Sequence, residues 1–74
     1  MTATAYLCHT QTSAFDLCEL IESNGGKAHK YVGECRVLSD YPFTNEDVAK
    51  KANAHIYRTE EPAEIEIKMF SELK

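Results

Sequence analysis

Two helix-start signals, Ser13-x-x-Asp16 and Thr44-x-x-Asp47, constrain this chain more than anything else in it. In each, a hydroxyl is spaced to accept from the backbone N–H three residues on, and an aspartate faces the positive end of the helix dipole. Phe43 and Val48 flank the second signal where a hydrophobic staple would close. Two fixed helix starts in 74 residues leave room for short strand regions before, between and after them.

Around these anchors the remaining segments fall into place. Thr4 to Cys8, with threonine, alanine, tyrosine and leucine, reads as a first strand. The first helix is predicted from about Ala14 to Ser23, with Phe15, Leu17, Cys18, Leu20 and Ile21 on its apolar face and Asp16, Glu19 and Glu22 opposite. Asn24-Gly25-Gly26 ends it, because glycine takes the left-handed C-terminal conformation without strain.

Lys27 to Asp40 reads either as one strand bent at Gly33 or as a hairpin turning at Gly33-Glu34 through a type II′ turn. The hairpin register sets Val32 against Cys35, Tyr31 against Arg36, Lys30 against Val37 and His29 against Leu38. Ala28, Val32, Cys35 and Val37 then share one face, with Lys30 as the exception. His29, Tyr31, Arg36 and Leu38 share the other.

Asp40-Tyr41-Pro42 is a turn, and the second helix is expected from Asn45 to about Asn53 on the thin apolar side Val48, Ala49 and Ala52. His55 to Thr59 reads as a strand, Glu60-Glu61-Pro62 as a turn, and Glu64 to Phe70 as a final strand. There Ile65, Ile67 and Met69 alternate with Glu64, Glu66 and Lys68. The expected class is α+β: a single domain over residues 1–74 with two helices on one face of a four- to five-stranded, mainly antiparallel sheet. The element order is β-α-β-β-α-β-β, a split βαββαβ arrangement with an added strand.

Twelve acidic residues against eight basic ones give a net charge of −4, which argues against a protein that coats nucleic acid through phosphate neutralisation. Three cysteines, Cys8, Cys18 and Cys35, leave one over in any disulfide pairing and read as free thiols of a reducing compartment. The segment from Met1 to Cys8 has no basic residue and no apolar run of signal-peptide length, and nothing approaches a membrane span. A cytoplasmic location without membrane contact is expected.

No constellation names a reaction. His9, His29 and His55 with the three cysteines could supply zinc ligands, but only Cys8-His9 are adjacent, and on a strand those two point to opposite faces. Asn24-Gly25-Gly26-Lys27 follows a helix, whereas phosphate cradles precede one. A small enzyme built on Cys8 and His9 is the least supported reading, since nothing supplies an oxyanion hole or an orienting third group. No metal, cofactor or catalytic role is expected.

Two surface readings remain. Glu60, Glu61, Glu64 and Glu66, with Asp16, Glu19 and Glu22 if these surfaces adjoin, would form an acidic patch that fits a basic groove on another protein. This predicts a non-catalytic regulatory module that binds a protein stoichiometrically, as inhibitors encoded by phages and mobile elements cover a basic, nucleic-acid-binding surface. The alternative is a small nucleic-acid-binding regulator using Lys27, His29, Tyr31 and Arg36 on a sheet face. A homodimer paired through the C-terminal strand is the further expectation.

Overall fold

A computed structural model describes residues 3–73 and arranges them as β1 (Thr4–Cys8), α1 (Gln11–Ser23), β2 (Ala28–Lys30), β3 (Arg36–Ser39), α2 (Glu46–His55), β4 (Ile56–Glu60) and α3 (Glu64–Glu72). The strands form one sheet in the order β2-β3-β1-β4, and every neighbouring pair is antiparallel. The class is α+β, and its first six elements follow the expected split βαββαβ arrangement.

Segment 27–40 is a hairpin in the expected register, with His29 opposite Leu38 and Lys30 opposite Val37. Its turn lies one residue earlier than a type II′ turn at Gly33-Glu34. The Glu34 N–H donates to the Tyr31 carbonyl at 3.2 Å, so Val32 and Gly33 are the central residues. Gly33 has φ +77° at the second of them, while Val32 does not have positive φ, which is the pattern of a type II turn.

Both helices begin earlier or later than their sequence signals say. Thr10 caps α1, its Oγ1 accepting from the Ser13 N–H at 3.0 Å, so Ser13 lies inside the first turn. Asn45 caps α2, its Oδ1 accepting from the N–H groups of Asp47 and Val48 at 2.9 and 3.2 Å, in place of Thr44. In both cases two residues able to cap stand close together, and only one of them meets the free N–H groups. The end of α1 is as expected: Gly25, at φ +84°, donates to the Glu22 carbonyl and Gly26 to that of Ile21, the paired bonds of a Schellman motif. A Cβ on Gly26 would lie 2.5 Å from Tyr41 Cδ1 and 2.7 Å from Ile21 Cγ2, so this position needs glycine for space.

The largest correction is at the C-terminus. Residues Glu64–Glu72 form α3, so the expected final strand and the homodimer edge it would offer do not exist. Ile65, Ile67 and Met69 do alternate, but the residues facing the sheet recur at helical spacing: Glu66, Met69, Phe70 and Leu73. Ile65 is 76% exposed. Glu66, third in the helix, accepts from the Ala63 N–H at 3.1 Å, which is half of a capping box, and Pro62 precedes the cap.

Helices therefore cover both faces of the sheet. Against one, α1 and α2 bury Cys8, Ala14, Leu17, Ile21, Val37 and Ala52. Tyr6 and Tyr41 both meet the Phe43 ring edge-on, with centroids 5.5 and 5.2 Å away. Lys30, the apparent exception on this face, places its Nζ 4.5 Å from the centre of the Phe15 ring of α1. Against the other face, Phe70 of α3 packs on Ala5 and Leu38, all three fully buried. Among the described residues no helix is long and apolar enough to cross a membrane.

The two caps separate in a mutational test. Thr10→Ala and Asn45→Ala each lose about 1 kcal/mol in urea denaturation, while Ser13→Ala and Thr44→Ala stay within about 0.5 kcal/mol of the parent.

Candidate functional site

The α3 face of the sheet gathers most of the chain's singled-out charged and aromatic residues. Arg36 sits at the start of β3 next to Leu7 of β1, and Arg58 flanks Leu7 on the other side. The Arg36 guanidinium holds two carboxylates: its Nε donates to Glu60 Oε1 at 2.7 Å, and its Nη1 and Nη2 donate to Glu66 Oε2 and Oε1, the latter at 3.0 Å. Arg58 reaches the other oxygen of Glu60 at 3.3 Å. The Tyr31 hydroxyl donates to Glu66 Oε2 at 2.9 Å.

Glu66 thus accepts from Arg36 twice, from Tyr31 and from the Ala63 N–H, which fills the acceptor positions of a carboxylate. The Arg36 hydrogen bonds, aided by the Ala63 N–H and the Tyr31 hydroxyl, hold its carboxyl well below the usual value of 4.5, at about 2. Arg36 is stabilised as a cation in turn, chiefly by Glu66. Burial, then the hydrogen bond to Glu66, pushes the Tyr31 phenol up.

Lys27 acts at the other end of α3. Its Nζ donates to the Phe70 and Leu73 carbonyls at 2.7 and 3.0 Å and lies 4.4 Å from the centre of the Phe70 ring. A cation there satisfies carbonyls that a helix end leaves open and complements its negative pole. His29 completes the face, its ring edge-on to Tyr31 at 5.0 Å.

The structure therefore brings Lys27, His29, Tyr31 and Arg36 together, as the nucleic-acid reading requires, and lays α3 over them. Arg36, Tyr31 and Lys27 make their contacts to that helix. The acidic set divides: Glu60 and Glu66 are paired with Arg36, with Arg58 also on Glu60, whereas Glu61 and Glu64 are exposed. Asp16, Glu19 and Glu22 are also exposed, but on α1, across the sheet from α3, so the two acidic groups do not merge.

Two shallow clefts lie elsewhere. The first, about 290 Å³, runs between α1 and α2 and is lined by Asp16, Glu19, Leu20, Ser23, Lys51 and His55. It sets Asp16 and Glu19 on one wall against Lys51 and the His55 imidazole on the other. Both walls are legible in the sequence as helical spacing, but their meeting depends on how the helices pack. The second, about 240 Å³, opens at the end of the sheet beside Leu7, Cys8, Glu34, Cys35, Arg36 and Tyr57. A β-bulge opposite Leu7 and Cys8 leaves Tyr57 unpaired and 57% exposed, with its ring 5.5 Å from that of His9.

Burial, then the neighbouring Cys18 and Cys35, pushes the Cys8 thiol up to about 11, against a resting thiolate at that position. Among the described residues no group of three or more His, Cys, Asp and Glu side chains is placed to hold a metal ion. No protein-family model matches the chain, and no curated protein or solved structure matches it either.

The Glu66 carboxylate gives a signed pH dependence. Its folded pKa is depressed, so the stability it contributes is fully present above about pH 4.5 and is lost as the pH falls towards 2. Glu66→Gln is expected to unfold about 2 kcal/mol more easily than the parent at pH 7, with the difference shrinking to under about 0.5 kcal/mol near pH 2. Urea titrations of both proteins across this range read the two curves converging.

Proposed function

We propose that this domain is a non-catalytic regulatory module that acts by stoichiometric binding to a basic surface of another protein. The observation that carries the reading is the direction in which its charges point. Lys27, Lys30 and Arg36 turn inward onto helix carbonyls, an aromatic ring and two carboxylates. The acidic side chains Asp16, Glu19, Glu22, Glu46, Asp47, Glu61 and Glu64 are all exposed, and among the described residues no cation lies within ion-pair distance of them.

A net charge of −4 is therefore expressed at the surface. Long-range attraction of this kind raises encounter rates with a positively charged partner and falls with added salt. The row Asp16, Glu19 and Glu22 on α1 is the surface best suited to it, because that helix is rigidly packed through Leu17 and Ile21. The half-free acidic set at the start of α3, Glu61 and Glu64, is the secondary candidate. A module of this type would act as inhibitors encoded by phages and mobile elements do, covering the basic surface of a nucleic-acid-processing complex.

The test is a quantitative pull-down from the source organism's lysate with the parent and with the triple variant Asp16→Lys, Glu19→Lys, Glu22→Lys. A discrete partner retained at about 50 mM salt by the parent, released as salt rises, and bound at least about tenfold more weakly by the variant is expected. Equal recovery by both proteins at all salt concentrations removes the electrostatic reading. Titration with labelled single-stranded RNA and DNA at low salt is expected to show no binding; saturable binding lost in Arg36→Ala would favour the nucleic-acid alternative instead.

A further inference from the structure

The three cysteines are free, yet two of them occupy a special relation. The β1–β3 ladder pairs Tyr6 with Val37 and Leu7 with Arg36, and it continues one step further: the Cys8 N–H donates to the Cys35 carbonyl at 2.8 Å. Cys8, the last residue of β1, is thus opposed to Cys35, in the bend that leads into β3. Residues opposed in a hydrogen-bonded pair have Cα atoms about 5.5 Å apart, which lies inside the span a disulfide bridges. The Cys35 thiol is a near neighbour of the Cys8 thiol. Both also line the cleft of about 240 Å³ at the end of the sheet, which gives a small reagent a way in.

We propose that Cys8 and Cys35 form an oxidation site, a cross-strand dithiol that closes to a disulfide when the protein meets a peroxide. The two thiols differ in access: Cys8 is 2% exposed, whereas Cys35 is only partly buried. Cys35 is therefore the first to react. Its thiolate sulfur attacks one peroxide oxygen, the O–O bond breaks, and the departing hydroxide takes up a proton to leave as water; Cys35 becomes a sulfenic acid. The Cys8 sulfur then attacks the Cys35 sulfur and the S–O bond breaks. The hydroxide released takes the Cys8 proton, so two thiols lose two electrons and one peroxide becomes two waters. Cys18 also packs near Cys8, but it is held in the middle of α1 with no backbone pairing to β1, and it stays a thiol.

The experiment treats the folded full chain with a modest excess of hydrogen peroxide, then measures intact mass, free thiols and disulfide-linked peptides after proteolysis at low pH. The expected result is a loss of about 2 Da, one remaining free thiol, and a single linkage joining Cys8 to Cys35. The same linkage forms in Cys18→Ser and none forms in Cys35→Ser, and in denaturant the selectivity gives way to mixed pairings. A Cys8–Cys18 linkage, oxygen addition at Cys35 without crosslinking, or the same mixture of pairings in folded and denatured protein overturns the proposal.

Discussion

Everything on the second face of the sheet depends on one carboxylate. Glu66 starts α3 by accepting from the Ala63 N–H and docks it by accepting from Arg36 and Tyr31. A nine-residue helix is marginal in water by itself, so α3 needs a surface to form on. Phe70 contributes on the order of 2–3 kcal/mol of apolar burial, and the charge-assisted bonds fix which way the helix lies. Lys27 closes the other end on the Phe70 and Leu73 carbonyls. A helix held by a cation at each end has little freedom to slide across the sheet.

This arrangement also shapes the outside of the molecule. The residues that a nucleic-acid reading would recruit, Lys27, Tyr31 and Arg36, are engaged by α3, and with them go two of the acidic residues, Glu60 and Glu66. Lys27, Lys30 and Arg36 turn inward, while Lys50, Lys51, Arg58 and Lys68 stay exposed beside a larger number of exposed carboxylates. The physical link from fold to proposed function is this separation of charge: Arg36 draws two carboxylates in, and the α1 carboxylates stay exposed with no cation within ion-pair distance among the described residues.

The first strand and the end of α1 at Asn24-Gly25-Gly26 are legible in the sequence, because each is fixed by local chemistry; for 27–40 the sequence leaves a hairpin and a bent strand open, and only the register of the hairpin alternative matches. The caps differ from the sequence signals because Thr10 and Ser13, like Thr44 and Asn45, are residues of similar capping preference close together, which local sequence does not rank. α3 was misread because seven residues of alternating Ile, Glu and Met fit a strand as well as a helix. What decides is Glu66 meeting Arg36, thirty residues away and legible only once β3 is placed. The Cys8–Cys35 opposition was hidden for a related reason: it requires knowing that β1 lies beside β3.

Amide hydrogen exchange on the parent and on Glu66→Gln at neutral pH tests the central claim, that Glu66 both starts α3 and docks it on the sheet. In the parent, the amides of Ile67 to Phe70 should be protected nearly as well as those of Tyr6 and Val37. In the variant their protection should fall by about tenfold or more, with the sheet amides falling less. Fast exchange along 67–70 in the parent while the sheet is protected, or equal protection of these amides in both proteins, would contradict the account.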